Sequence, residues 1–294
     1  MASELATNLS KYGSGGEIHV SRLSDRGHLG IEILSIDRGP GIEDLERCLS
    51  DGYSSSGTSG TGLGAVMRSS TTFDAYSEAG KGTVVLSRLV TKDGVSRRSG
   101  LELGAVGKPI VGETASGDTW ALREDDTGIY LLVADGLGHG LLAFEASSQA
   151  AHAFQSCRER ATASILQHVH SALKGTRGAA GAIARIDYAA GRVDFTGVGN
   201  ISGVIVGGPK NRWMVSHNGT LGFEARRFQE FNYLLQDNSL VVMHSDGITT
   251  SWNLEDHPGL SLRHPSIVAA VLYRDAARHR DDMCVVALRR YRDA

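Results

Sequence analysis

The sequence predicts an α+β protein in two segments, and three observations carry that reading. In the later part of the chain, short apolar runs separated by Gly-rich turns (GAIARIDY, GRVDFTGV, ISGVIVG, RWMVSH) follow one another as an antiparallel meander does, without a helix between each pair. Ahead of them, Ala146, Ala150, Ala153, Phe154 and Cys157, then Ile165, Leu166, Val169 and Leu173, recur at helical spacing and mark two core helices. Residues 91–100 (TKDGVSRRSG) are polar, charged and aperiodic, as a linker is. The expected organisation is a first segment at 1–90, a linker at 91–100 and a second segment at 101–294.

Composition supports two packed cores and limits the partners. With 294 residues, 41% of them hydrophobic, the chain has enough apolar surface for two ordinary domains. A formal net charge of −3 and a pI near 6.4 argue against nucleic acid and against an anionic membrane as partners. Cys48, Cys157 and Cys284 are far apart and lack metal-ligand spacing, which fits reduced thiols. There is no basic-then-apolar pattern at the N-terminus, and no uncharged apolar run approaches the roughly 20 residues of a membrane helix. A cytoplasmic location is expected.

In the first segment, Glu4, Leu5, Asn8 and Leu9 have one-turn spacing and predict a helix ending near Tyr12 and Gly13. Two strands follow, the second closing in Asp37-Arg38-Gly39-Pro40-Gly41. After a helical stretch comes a loop rich in Gly and Ser, in which Gly57, Gly60, Gly62 and Gly64 precede another helix. Gly-rich backbone entering a helix N-terminus suits an anion, because exposed amides and the helix dipole both favour phosphate. Alone, the loop reads equally well as a flexible linker.

The order of these pieces, Glu4-x-x-x-Asn8, Asp37 to Gly41, Gly60-Thr-Gly-Leu-Gly64, then Gly82-Thr83 beside a strand, resembles the GHKL ATP-binding family, most closely its RsbT-type serine kinases. The resemblance implies a Bergerat-type sandwich binding ATP with Mg²⁺. Asn8 would help hold Mg²⁺ on the triphosphate, and Glu4 would be the base. Asp37 would contact the adenine amino group, with Gly39, Gly41, Gly60, Gly62, Gly64 and Thr83 framing the nucleotide. Phosphoryl transfer depends mainly on positioning and charge neutralisation, so such a set suffices for it. Members of that family begin with a strand and a helix ahead of the Glu-x-x-x-Asn helix. Here Glu4 lies near the first residue, so a partial module is expected.

The second segment centres on residues 129–140 (IYLLVADGLGHG): a buried strand, then a turn in which Gly136, Gly138 and Gly140 let the backbone bend. Asp135 is left at the mouth of a sheet, although an ordinary Asp-Gly turn would look the same in isolation. Asp246 ends a second strand (SLVVMHS), Asp118 follows Ser116-Gly117, and Asp281-Asp282 opens a last apolar run after a late helix at 266–279. Carboxylates gathered from separate strand ends suit hard divalent cations such as Mg²⁺ and Mn²⁺, and no Cys or His cluster suggests zinc. His152, His168 and His170 read as packing or solvated residues.

Ser116-Gly-Asp118, Val133-Ala-Asp135-Gly-Leu-Gly-His-Gly140, Thr176-Arg-Gly-Ala179, Gly197-Val-Gly-Asn200, Ser245-Asp246-Gly and Asp281-Asp282-Met together resemble the SpoIIE/RsbX branch of the PPM phosphatases. That resemblance implies an α-β-β-α layered sandwich. Asp118, Asp135, the carbonyl of Gly136, Asp246 and Asp281 would hold or anchor two Mn²⁺ or Mg²⁺ ions, with Asp282 able to share the last role. It further implies metal-assisted hydrolysis of phosphoserine or phosphothreonine centred on Asp135 and Asp246. Eukaryotic relatives carry a His two residues beyond the strand-end Asp; here His139 comes four residues after Asp135 and reads either as a general acid or as a turn-stabilising or surface residue. Eukaryotic relatives carry a phosphate-binding Arg upstream, whereas no Arg lies between Glu113 and Asp118 here. The expected substrates are phosphorylated STAS-domain regulators, of the anti-sigma antagonist or stressosome type, in partner switching. The alternatives are a non-catalytic regulator that sequesters a partner, and a protein whose N-terminal kinase activity dominates.

Overall fold

A computed structural model describes residues 1–25, 28–49, 62–91, 101–207 and 211–290. Gly60 and nearly all of the expected linker lie outside these residues. Two compact units emerge: Met1–Arg98 with Asn253–Asp275, and Ser99–Trp252 with Ala276–Ala294. Among the described residues no helix is long and apolar enough to cross a membrane.

The first unit opens with α1 (Ala2–Tyr12), β1 (Glu17–Asp25), β2 (His28–Ile36), α2 (Leu45–Leu49), α3 (Gly62–Ser69), β3 (Thr72–Glu78) and β4 (Gly82–Val90). Its strands pair antiparallel in the order β1-β2-β4-β3. Alternation of side chains along β2, β3 and β4 sends Ile33, Ala75 and Val85 to one face, where they pack with Leu5 of α1 and Val66 of α3. The opposite face is also apolar, with Leu34, Ile36, Tyr76, Val84 and Leu86 buried. Burial on both sides explains the consecutive apolar residues Val84, Val85 and Leu86 at the centre of β4.

The second unit contains β5 (Leu101–Lys108), β6 (Asp118–Asp125), β7 (Gly128–Gly136), α4 (Leu141–Ser156), α5 (Thr162–Ala172), β8 (Ala179–Asp187), β9 (Arg192–Val198), β10 (Ser202–Val206), β11 (Arg212–Met214), β12 (Ser216–His217), β13 (Phe231–Leu234) and β14 (Leu240–His244). After α6 (Pro265–Ala276), it closes with β15 (Met283–Arg290). One sheet runs β12-β9-β8-β7-β6 with β13 added to β9, the other β11-β10-β14-β15-β5. Ile129, Leu131 and Val133 of β7 meet Val241, Met243 and Val286 of the other sheet in a core between the two layers. Tyr130, Leu132 and Ala134, on the opposite face of β7, pack under Ala150 and Phe154 of α4 and Ile165 and Val169 of α5. The meander and both helices read from the sequence are thus present, as two stacked sheets with α4 and α5 packed on the outer face of one.

The late helix departs from expectation. It was read at 266–279, inside the segment 101–294; it spans Pro265–Ala276 and groups, from Asn253 to Asp275, with the first unit. Pro265 suits a first helical position, and the His264 ring caps the start by accepting a hydrogen bond from the Ser266 amide at 3.0 Å. His279, with φ of 55°, lies beyond its end. Polar contacts explain the grouping. Ser266 donates to Glu32 at 2.8 Å and accepts from Arg88 at 2.9 Å, while Arg88 pairs with Glu32 at 2.7 Å. Asp74 accepts from the His264 amide at 2.7 Å, and Tyr273 donates to Glu17 at 3.0 Å. Glu32 is 4% exposed and Ser266 fully buried, so these bonds satisfy groups that water cannot reach.

Candidate active site

The C-terminal acidic site is built by strand register. Pairing of β6 with β7 sets Asp118, the first residue of one, directly opposite Asp135, the last but one of the other. The run preceding Asp135 is buried on both faces, so the sheet holds this carboxylate at its edge with little freedom to move away. Gly136 continues the strand where no side chain fits, since a Cβ there would lie 2.1 Å from the carbonyl oxygen of Ala143 in α4. Asp246 follows β14 and accepts a hydrogen bond from the Asn200 side-chain Nδ2 at 2.7 Å.

Burial and mutual charge shift the proton affinities of these acids. Asp118 is pushed up to about 7, first by burial, with the charges of Asp282, Asp246 and Asp281 adding and a hydrogen bond from the Ser245 hydroxyl opposing. Asp135 is pushed up to about 8, by burial and then by the charges of Asp118, Asp246, Asp281 and Asp282. Asp281 is also raised, by burial first and opposed by the amide of Asp282, with the charges of Asp246 and Asp282 adding. Like charges crowded at low dielectric resist joint ionisation unless a cation enters.

The adjacent acids separate into two roles. Asp282 is 2% exposed, and its two carboxylate oxygens accept from the amides of Ile110 and Gly117, each at 2.7 Å. It pins the loop that leads to Asp118. Asp281 makes no such ties, accepting only the amide of Asp282 at 2.9 Å among the described residues, and so keeps oxygens for a ligand.

The residues fit a hard divalent cation by donor type and by uncompensated negative charge: Asp118, Asp135, Asp246 and Asp281 supply carboxylates, and Gly136 a backbone carbonyl. Among the described residues no three His, Cys, Asp or Glu side chains close around one point.

Two contributors, Ser245 and Glu113, carry no role in the sequence reading. Ser245 is fully buried; its hydroxyl donates to Asp118 and accepts from the Cys284 amide at 3.0 Å. Glu113 holds His139, with the Nδ1 of the ring 2.7 Å from a carboxylate oxygen. The Ser-Asp-Gly pattern signals the first of these; nothing in the local sequence signals the second.

In the first unit, Asp37 follows β2 and accepts from the amides of Gly39 at 2.7 Å and Thr83 at 3.3 Å. Its own amide donates to the Thr83 carbonyl at 2.9 Å, and the Thr83 hydroxyl lies 2.9 Å from that of Ser77. At Gly82, with φ of 90°, a Cβ would fall 2.1 Å from the Asp37 carbonyl oxygen, so the close approach needs glycine. Gly41 also has positive φ. Gly62 and Gly64 open α3, and Asn8 faces that start, its amide 3.9 Å from where a Cβ on Gly62 would lie. Glu4 is exposed on α1, one turn before Asn8.

This sandwich and its acidic edge define a PP2C-type protein serine/threonine phosphatase domain. The chain belongs to the SpoIIE family: the family model described as stage II sporulation protein E matches residues 125–291. The phosphoserine phosphatase RsbX of Bacillus subtilis (strain 168) is 26% identical over 139 residues, 47% of this chain and 69% of RsbX. A solved structure of RsbX in complex with magnesium superposes with a TM-score of 0.57 at 21% identity, covering 65% of this chain and 95% of that one. The serine/threonine-protein kinase RsbT of the same organism is 42% identical over 83 residues, 28% of this chain; the match spans 62% of RsbT. A chain from a structure described as "the bacterial stressosome: a modular system that has been adapted to control secondary messenger signaling" is 28% identical with a TM-score of 0.60, covering 64% of this chain and 99% of that one.

Proposed function

We propose that the second unit dephosphorylates phosphoserine or phosphothreonine on STAS-domain regulators of a bacterial partner-switching pathway in the cytoplasm. The observation that carries this is the opposed pair Asp118 and Asp135, with Asp246 and Asp281 near enough to raise their proton affinity. Asp118, Asp135, the Gly136 carbonyl, Asp246 and Asp281 would hold two Mn²⁺ or Mg²⁺ ions. When bound, such ions polarise phosphate oxygens and lower the pKa of water towards neutrality. The chain's own residues do the rest. Ser245 orients Asp118, Asn200 orients Asp246 and Asp282 fixes the loop carrying Asp118. Glu113 holds the His139 ring, which would serve as the general acid for the leaving serine oxygen.

The first unit is assigned ATP with Mg²⁺, on the support of the RsbT likeness and the Asp37, Gly39 and Thr83 arrangement. Glu4, Asn8, Gly41, Gly60, Gly62 and Gly64 complete that assignment, with Glu4 as the base if phosphoryl transfer occurs. Incubation with a phosphorylated STAS-domain protein and Mn²⁺ tests the main reading. Release of inorganic phosphate supports it; stable binding of the partner without release supports sequestration instead.

A further inference from the structure

A phosphomonoester approaching the acidic edge meets like charge, and the stretch from Glu113 to Asp118 offers no cation to receive it. The turn at Thr176-Arg177-Gly178 supplies one from another part of the chain. Thr176 donates to the Leu173 carbonyl at 2.8 Å, and its hydroxyl accepts the Gly178 amide at 3.0 Å. Gly178 has φ of 80°, and its carbonyl accepts the amide of Leu137, the residue after Gly136, at 3.0 Å. Thr176 and Gly178 thus latch the turn onto the loop leaving Asp135.

Arg177 between them does no such work. It is exposed and makes no hydrogen bond or ion pair among the described residues. Its guanidinium nevertheless lies over that same loop, with Nη1 3.0 Å from the point where a Cβ on Gly138 would stand. Gly138, lying between Asp135 and His139, leaves that space clear. A planar guanidinium offers paired donors matched to phosphate oxygens, which a lysine ammonium does not.

We propose that Arg177 is the phosphate-receiving residue of the substrate site, binding the phosphomonoester beside the loop that leaves Asp135. This rests on the phosphatase reading above.

Steady-state hydrolysis of p-nitrophenyl phosphate in Mn²⁺, with inorganic phosphate as competitive inhibitor, tests it in wild type, Arg177→Ala and Arg177→Lys. For Arg177→Ala, KM and the phosphate inhibition constant should each rise about tenfold, the scale of losing a charged hydrogen bond. The rise should be smaller for Arg177→Lys, and the thermal midpoint should not move. Unchanged KM and inhibition constant in an active protein would overturn the role of Arg177 and leave the phosphatase reading standing. A fall in kcat alone would overturn it equally. A wild type inactive in Mn²⁺ would remove both.

Discussion

Asp118 and Asp135 face each other across two neighbouring strands, and each is held well above the ordinary carboxylate range. Because their folded-state pKa values exceed the unfolded one, the native state binds more protons between pH 4 and 8. Stability contributed by the pair is therefore present below about pH 4 and lost as pH rises through about 7 to 8. Thermal melts of the metal-free protein from pH 5 to 8.5 should show the wild type losing more stability than Asp135→Asn. Equal slopes for the two proteins would contradict the clustering.

Ser245 should matter twice. Its hydroxyl serves both Asp118 and the buried amide of Cys284, so Ser245→Ala leaves that amide unsatisfied at a cost of about 1–3 kcal/mol. Urea unfolding measures this, and kcat should fall as Asp118 loses its orienting partner. An alanine variant with wild-type stability would show that the bond contributes nothing.

The same approach tests the placement of α6. Ser266→Ala removes a buried hydroxyl shared by Glu32 and Arg88 and should destabilise the protein by about 1–3 kcal/mol. Combined with Glu32→Gln, the two effects should be non-additive, because they remove one network. Additive losses would contradict the grouping of Asn253–Asp275 with the first unit.

For nucleotide binding, Asp37→Asn should weaken ATP at least tenfold by calorimetric titration, since the carboxylate organises the amides of Gly39 and Thr83. Affinity unaffected by the substitution would place ATP elsewhere, and absence of heat in the wild type would remove the assignment.

How far the sequence could be read follows from how local each signal is. The run at 129–140 is legible because burial on both faces of β7 demands consecutive apolar residues, and the turn after it demands glycine. The meander is legible because Gly-rich turns punctuate it. The role of α6 is not legible, because Pro265–Ala276 is buried almost throughout and carries no amphipathic face to name its neighbours. Its polar ties run to Glu17, Glu32, Asp74 and Arg88, more than 170 residues away in sequence. Asp281 and Asp282 look alike in sequence; only the amides of Ile110 and Gly117 distinguish them. Glu113 escaped for the same reason, since its tie to His139 forms only in the folded chain.

Manganese-dependent hydrolysis of p-nitrophenyl phosphate by wild type and by Asp135→Asn is the most direct measurement. Wild type should turn over with Mn²⁺ and stop on chelation, while the variant stays folded and falls to background. Turnover that persists in Asp135→Asn would mean that the carboxylates at this sheet edge are not where the chemistry occurs.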